Sequence, residues 1–479
     1  MKTTQWSLNG ALKDKQIVVI GAARQGLALT RYFLLRGASV ILNDRNDECA
    51  LEHAIAEMQA WQKQHGEKIT GELQWVMGHH PEFILDDTSL VCVSGGVPLE
   101  LPIIVSARKR GINVTNDSEL FMQAVPCRVI GITGSSGKTT TTTLLGEILT
   151  KSLSSDSCKV WVGGNIGNPL IDQVDAMRST DLVLLELSSF QLDLMETAPQ
   201  ISAILNITPN HLDRHGTMEA YTNAKLNIFR HQSGEDIAVI NHEDPGTWRE
   251  RDIIQGKFAV FGFHRAQLDV IQTYMREDQL YLHDGRQENL LFNVNDIQLR
   301  GKHNILNVLA ACVIAYTAGV PLNGLRKSVR KFKGVSHRLE FVRHVNGVSW
   351  FNDSIASAPE RSMAAIRSFT EPLVVLLGGR DKKLPWDKLA KLIHRRVHDV
   401  ILFGEAADMI TKELKKQRCA SSLLQISRCD TLEEAVQKAK EIAHPGDVVL
   451  LSPGCTSFDE FKDFAERGER FKAWVQQIS

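Results

Sequence analysis

Short apolar, β-branched runs alternate with amphipathic stretches along the 479-residue chain. That rhythm predicts strands alternating with helices, and hence α/β domains built on parallel sheets. Lys15–Gly21 (KQIVVIG) reads as a buried strand, Leu27–Arg36 as the following helix and Ala38–Asn43 (ASVILN) as a second strand. Ser89–Val93 ends another strand before the turn Ser94-Gly-Gly-Val-Pro. These elements make a first domain over residues 1–124.

A second domain, 125–334, opens with the strand Arg128–Thr133, a glycine loop and the helix Lys138–Thr150. Strands Leu182–Leu187 and Ile201–Ile207 continue it, and residues 258–300 alternate with turn signals in the manner of a small antiparallel insertion. A helix at His303–Gly319 stops at the Gly319-Val-Pro321 break. The third domain, 335–479, has strands at Gly347–Phe351, Leu373–Leu377, Val400–Phe403 and Asp447–Leu451, with helices between them. The expected fold is therefore three α/β domains.

Composition narrows the class. Hydrophobic residues make up 43% and charged residues 23%, as in an ordinary globular protein. A net charge of −1 gives the whole chain no bias toward nucleic acid or an anionic membrane. Eight scattered cysteines, none in a CxxC pair, read as reduced thiols of a cytoplasmic protein. Met1-Lys-Thr-Thr-Gln-Trp lacks the apolar core of a secretory leader, and no apolar run is long enough to span a bilayer.

The strongest chemical signal is Gly131-Ile-Thr-Gly134-Ser-Ser-Gly137-Lys138-Thr139 between a strand and a helix. Glycines let backbone N–H groups converge on phosphate oxygens, and the helix N-terminus adds partial positive charge. Lys138 is expected on the β/γ phosphates and the Thr139 hydroxyl on Mg²⁺. Ile132 occupies the first-glycine position of the strict motif, so Gly131 and Gly134 take over the turn chemistry.

Two strand ends carry further candidates. In Leu184-Leu-Glu186-Leu-Ser188-Ser-Phe-Gln191, Glu186 either holds Mg²⁺ beside the phosphates or caps a helix. In Asn206-Ile-Thr-Pro-Asn-His211-Leu-Asp213-Arg214-His215, His211 either ligates metal or makes a loop hydrogen bond. Lys225, in the amphipathic stretch Tyr221–Phe229, reads by itself as a solvated surface charge.

Taken in order, these motifs resemble the Mur ligases of peptidoglycan synthesis. Gly163-Gly-Asn165-Ile-Gly167, Gly301-Lys-His-Asn304-Ile-Leu-Asn307, Gly334-Val-Ser-His337-Arg338 and Asn352-Asp353-Ser354 extend the match over nearly the whole chain. The segment Leu451-Ser452-Pro-Gly-Cys-Thr-Ser457 through Phe464 and Gly468, with Leu376-Leu-Gly378-Gly-Arg-Asp-Lys382, is similar to the D-glutamate-adding branch. The resemblance implies a Rossmann-like first domain that binds UDP, a central P-loop ATPase domain and a Rossmann-like C-terminal domain that binds the amino acid. Gly21-Ala-Ala-Arg-Gln-Gly26 followed by Asp44 is then a degenerate dinucleotide fingerprint serving UDP.

The same resemblance implies the site. Gly134, Ser135, Ser136, Gly137, Lys138, Thr139 and Thr140 would surround ATP, with Asn304, Arg338 and Asp353 on the nucleotide. Asp44, Arg45, Gly96, Asn165, Ser188, Gln191 and His211 would hold the UDP substrate. Ser357, Lys382, Ser457 and Phe464 would hold the amino acid. Two Mg²⁺ ions would sit on Thr139, Glu186, His211 and a carbamylated Lys225, so that Lys138, Glu186, His211 and Lys225 form the catalytic set.

The implied reaction joins D-glutamate to UDP-N-acetylmuramoyl-L-alanine through an acyl phosphate. The enzyme would be a cytoplasmic monomer without nucleic-acid or membrane partners, its third domain closing when ATP binds. Ile355 departs from the commoner Asn-Asp-Ser-Lys-Ala-Thr by replacing a lysine, with Arg380 or Lys383 as compensating charges. That change keeps an L-glutamate-adding ligase open, and a folylpolyglutamate-synthase-like ligase shares the later motifs. An NAD-dependent oxidoreductase would leave Gly131–Thr139 unexplained, and a non-enzymatic P-loop module would leave the third domain's motifs without a purpose.

Overall fold

The computed structural model describes residues 12–417 and 424–479. The segment Met1–Trp6, read from sequence as lacking a leader's apolar core, and Cys419 lie outside the described residues. Five strands make the first sheet: β1 (Gln16–Ile20), β2 (Ser39–Asp44), β3 (Leu73–Met77), β4 (Thr88–Val93) and β5 (Asn113–Asn116). They lie parallel in the order β3-β2-β1-β4-β5. Ile17, Val18, Val19 and Ile20 are all fully buried, since a parallel sheet covered on both faces has no wet side. Winding reverses between β1 and β4, which opens a crevice at the strand C-termini. The following helix runs Arg24–Leu34, three residues earlier than the apolar pattern implies, because it starts directly out of the glycine turn.

The central sheet holds nine strands: β6 (Arg128–Thr133), β7 (Val160–Gly164), β8 (Leu182–Glu186), β9 (Ile201–Ile204), β10 (Ile237–Asn241), β11 (Lys257–Phe261), β12 (Ile271–Arg276), β13 (Gln279–Asp284) and β14 (Glu288–Asn293). Their order is β14-β13-β12-β11-β10-β9-β6-β8-β7. Residues 258–300 are therefore not a separate insertion. Strand β12 pairs parallel with β11, and β13 and β14 extend the same sheet as antiparallel hairpins. The Lys302–Thr317 helix packs on β10, β11 and β12, and Thr273 donates to Leu309 O at 2.8 Å. Strand β9 stops at Ile204, short of the expected Ile207, because Asn206 turns toward the glycine loop.

The third sheet holds β15 (Glu340–Val345), β16 (Val348–Asn352), β17 (Leu373–Gly378), β18 (Asp399–Phe403), β19 (Gln425–Arg428) and β20 (Val448–Gly454), in the order β15-β16-β20-β17-β18-β19. Only the β15–β16 pair is antiparallel. The chain divides into two compact units. One runs to Arg330 and holds the first two sheets; the other holds Gln298–Gly301 and Lys331–Ser479.

Within the first unit, polar contacts tie the two sheets' domains together. Arg31 binds Asp172 through two donors, and Arg36 binds Asp175 at 2.6 Å. Asn116 donates to Gln191 O, and the Glu119 carboxylate accepts from Glu196 N and Thr197 N. The described cysteines carry free thiols. No helix among the described residues is long and apolar enough to cross a membrane.

Candidate active site

The glycine loop leaves β6 at its C-terminal edge and enters the Lys138–Leu153 helix. Gly137 has φ of 81°, and a Cβ there would collide with Asn307 Oδ1, so only glycine fits. Asn307 in turn donates to Asn304 Oδ1 at 3.0 Å, which brings the predicted nucleotide residue Asn304 to the loop. Ser135 N and Ser136 N donate to Asn206 O and Oδ1, at 3.0 and 2.9 Å. Ser135 Oγ donates to Thr208 O and accepts from Tyr221 OH. The two serines expected on ATP thus have their backbone donors spent on shaping the loop. The first intrahelical bond runs from Thr141 N to Gly137 O, so Thr139 and Thr140 lie in the turn whose N–H groups point out of the helix end.

Two lysines converge on one carbonyl. Lys138 Nζ donates to Gly134 O at 2.7 Å, and Lys225 Nζ donates to the same oxygen at 3.1 Å and to Thr133 Oγ1 at 3.2 Å. Lys225 is only 1% exposed, which overturns its reading as a solvated surface charge. Burial first, and the Lys138 charge second, hold its amine down to about 6. This favours the uncharged amine at neutral pH.

Glu186 closes the other side. It is 1% exposed at the end of β8; its Oε1 accepts from Asn165 Nδ2 at 2.9 Å, and its Oε2 has no hydrogen-bond partner. A buried carboxylate oxygen left unpaired is costly unless a cation meets it. Glu186 does not cap the next helix. Ser188 does, in a capping box with Gln191, and Gln191 Nε2 donates to Ser118 Oγ. Gln191, expected on the UDP substrate, is turned inward and braces Ser188. His211 sits in the left-handed region at φ 53°, its ring edge-on to Phe190 at 5.3 Å. Partial burial first, and Lys138 second, lower its pKa and so favour the neutral imidazole. Among the described residues no three His, Cys, Asp or Glu side chains gather as a metal cluster. One carboxylate, one imidazole and the Thr139 hydroxyl are the oxygen and nitrogen donors present. They fit a hard divalent cation if Lys225 supplies a further anionic oxygen.

A cavity of about 300 Å³ lies beside this centre, lined by Arg24, Gly96, Asn165, Ser188 and Phe190 among others. Three expected substrate residues, Gly96, Asn165 and Ser188, meet here. Arg24 was not singled out from sequence; it opens the Arg24–Leu34 helix and donates to Gly167 O at 2.8 Å across the cavity. A cation at a helix start beside a cavity is suited to an anionic ligand. Asp44 lies at the end of β2 and accepts from Ala22 N at 2.7 Å. Asp44 and the exposed Arg45 are not part of the cavity lining.

The second unit gathers the remaining candidates. Asp353 is buried, accepts from Ser452 Oγ at 2.8 Å and from Leu339 N, and burial pushes its carboxyl up to about 7 against the pull of Arg338. Lys382 Nζ donates to Ser357 Oγ at 3.3 Å. Ser457 is buried, and Phe464 opens the Phe464–Gln476 helix, its carbonyl accepting from Ser354 Oγ. Arg380, one candidate to replace the charge lost at Ile355, is committed to Glu405 through two bonds of 2.9 Å.

A phosphate loop with a buried acid and lysine, on a chain with three α/β sheets, defines a class. Family models describe residues 15–116 as a Mur ligase MurD-like N-terminal domain, 132–315 as a Mur ligase middle domain and 337–455 as a Mur ligase glutamate ligase domain. The chain belongs to the Mur ligase family. Its relatives include the UDP-N-acetylmuramoylalanine--D-glutamate ligases of Caldanaerobacter subterraneus subsp. tengcongensis, 39% identical, and Symbiobacterium thermophilum, 38% identical. The alignments cover 98% of this chain in both cases, and 99% and 100% of those proteins. Among solved structures, the MurC of Thermotoga maritima shares the fold with a TM-score of 0.53 at 18% identity, over 96% of this chain and 99% of that one. A UDP-N-acetylmuramoyl-L-alanyl-D-glutamate--2,6-diaminopimelate ligase gives 0.55 at 18% identity, over 98% of this chain and 93% of that one.

Proposed function

We propose that the chain is an ATP-dependent amide ligase that adds D-glutamate to UDP-N-acetylmuramoyl-L-alanine in the cytoplasm. Residues 1–124 would bind the UDP substrate, 125–334 ATP, and 335–479 the amino acid. The observation that carries this reading is the Gly134 carbonyl shared by Lys138 and the buried Lys225, with the unpaired Glu186 oxygen at the neighbouring strand end. Such a site suits a triphosphate with its cation, and no side-chain nucleophile is needed.

In the reaction, an oxygen of the substrate carboxylate attacks the γ-phosphorus of ATP and the bond to the β-phosphate oxygen breaks, leaving ADP and an acyl phosphate. The glutamate amine then attacks the acyl carbon. The tetrahedral adduct loses a proton and expels phosphate, and the amide remains. Activation is required because a carboxylate oxygen is a poor leaving group and phosphate a good one. Lys138 stays with the phosphoryl group as charge moves to the leaving oxygen. Residues around the 300 Å³ cavity hold the diphosphate and sugar so that the carboxylate reaches the loop.

Thr139, Glu186, His211 and Lys225 would hold two Mg²⁺ ions, which supply compensating charge where three anions meet. The uncharged Lys225 amine suits this role. Its lone pair can add to CO₂, lose a proton and become a carbamate, exchanging a buried amine for an anionic oxygen ligand. Ser357, Lys382, Ser457 and Phe464 would present the amino acid, and the enzyme would act as a monomer.

The test is phosphate release from ATP with UDP-N-acetylmuramoyl-L-alanine and either glutamate enantiomer, with each component omitted in turn. The reading predicts release that needs all three substrates and prefers the D-enantiomer. Release with L-glutamate alone would replace the donor, and release independent of the UDP substrate would reject the assignment.

A further inference from the structure

The most deeply buried charge in the second unit belongs to no role above. Arg467 is 0% exposed, and its guanidinium meets oxygens that carry no charge. Nε donates to Ser354 Oγ at 3.0 Å and Nη1 to Thr456 O at 3.0 Å. Nη2 donates to Ser354 O at 2.8 Å and to Cys455 O at 3.2 Å. Asp459 and Glu460 favour its charge only through space, without a hydrogen bond, so burial remains the dominant cost and the neutral acceptors repay only part of it. An apolar side chain there would leave the buried Ser354 and Cys455 carbonyls without this donor.

The bonds have a pattern. Ser354 begins the segment that carries Ser357, and Thr456 precedes Ser457. Thr456 is also bridged to Arg380 by paired backbone bonds of 3.0 Å, which fixes the loop that leads to Lys382. Ser354 Oγ, held by Arg467 Nε, donates to the Phe464 carbonyl at 2.8 Å. One planar fork thus fixes two of the three loops directly and the third through Thr456.

We infer that Arg467 is the positioning residue of the amino-acid site: it sets the mutual register of Ser357, Lys382, Ser457 and Phe464, and it places a buried positive charge beneath a site for a dicarboxylic amino acid. This rests on the ligase reading above. Arg467 touches no substrate, so its effect must run through the loops. Lysine keeps the charge but lacks the fork, and cannot hold Ser354 and Thr456 at once.

The experiment is steady-state phosphate release by the full chain, with each substrate varied in turn, for wild type, Arg467→Lys and Ser354→Ala. Arg467→Lys is expected to raise KM for glutamate at least about tenfold, while KM for ATP and for the UDP substrate stay within about twofold. Ser354→Ala, which removes the acceptor of Arg467 Nε and the donor to the Phe464 carbonyl, raises KM for glutamate alone by about threefold. A glutamate KM unchanged in the folded variants overturns the inference. So does a parallel rise in all three KM values, which would mark a merely structural residue. If Arg467→Lys does not fold, Ser354→Ala decides by the same criterion. Wild type that shows no glutamate-dependent release overturns the ligase reading and this inference with it; normal wild type with flat variants overturns the inference alone.

Discussion

In the proposed function, the phosphate loop and the loops assigned to the amino acid would solve the same problem, a site for an anion, in opposite ways. The first is one contiguous stretch, Gly134–Thr140, in which the helix end and Lys138 are proposed to meet the anion and two lysines share one carbonyl. The second is assembled from Ser354–Ser357, Arg380–Lys382, Cys455–Ser457 and Phe464, drawn together by hydrogen bonds between side chains and backbone. Local geometry makes the first robust to changes elsewhere and intolerant of change in its own residues. The second spreads its contacts, so single losses there weaken binding of one substrate and leave the chemical step.

Lys138→Ala gives the largest expected effect. Phosphate release falls by about 1,000-fold or more, because the cation that compensates the transferred phosphoryl group is lost. The thermal midpoint falls by only about 2–4 °C, the hydrogen bond from Lys138 to Gly134 O being worth about 1 kcal/mol. Near-normal turnover would remove the distinction between the two regions.

Lys225→Ala is expected to lose about 100-fold and to regain part of its activity with added formate or acetate, whose carboxylate replaces the anionic oxygen. Full activity without them would leave Lys225 a buried amine with no part in catalysis.

Lys382→Ala tests the dispersed region. KM for glutamate rises about tenfold, worth about 1.4 kcal/mol, with KM for ATP unchanged. A collapse of kcat comparable to that of Lys138→Ala would show that the amino-acid loops are as intolerant as the phosphate loop.

The smallest effect is on stability. The Lys225 amine titrates near 6 in the folded chain and near 10.4 when unfolded. Between those values the unfolded chain binds more protons, so this residue's contribution worsens as pH falls from about 10 to about 6. In CO₂-free buffer, Lys225→Met should therefore raise the thermal midpoint more at pH 5 than at pH 9. An equal gain at both would mean that the folded amine is not depressed.

The contrast also explains what could be read from the chain. The phosphate loop was legible because its chemistry is local: glycines, a lysine and a threonine at fixed spacing between strand and helix. The burial of Lys225 was within reach as well. Tyr221, Lys225 and Phe229 stand four apart and share one helix face, and the structure buries all three. The resemblance implies Gln191 on the UDP substrate; its position three after Ser188 is also a capping-box spacing, and Gln191 forms that box. The Arg467 fork had no local signal, since Ser354 lies 113 positions away in the chain. Residues 258–300 misled for a different reason. Alternation announces strands, but not whether they pair among themselves or continue a neighbouring sheet.

The central claim is that the loop before the Lys138 helix delivers a phosphoryl group to the acid of a UDP-linked substrate. It is tested most directly with substrate labelled by ¹⁸O in that carboxylate. Transfer through an acyl phosphate predicts one labelled oxygen in the inorganic phosphate for each amide formed. Unlabelled phosphate accompanying labelled amide would contradict it.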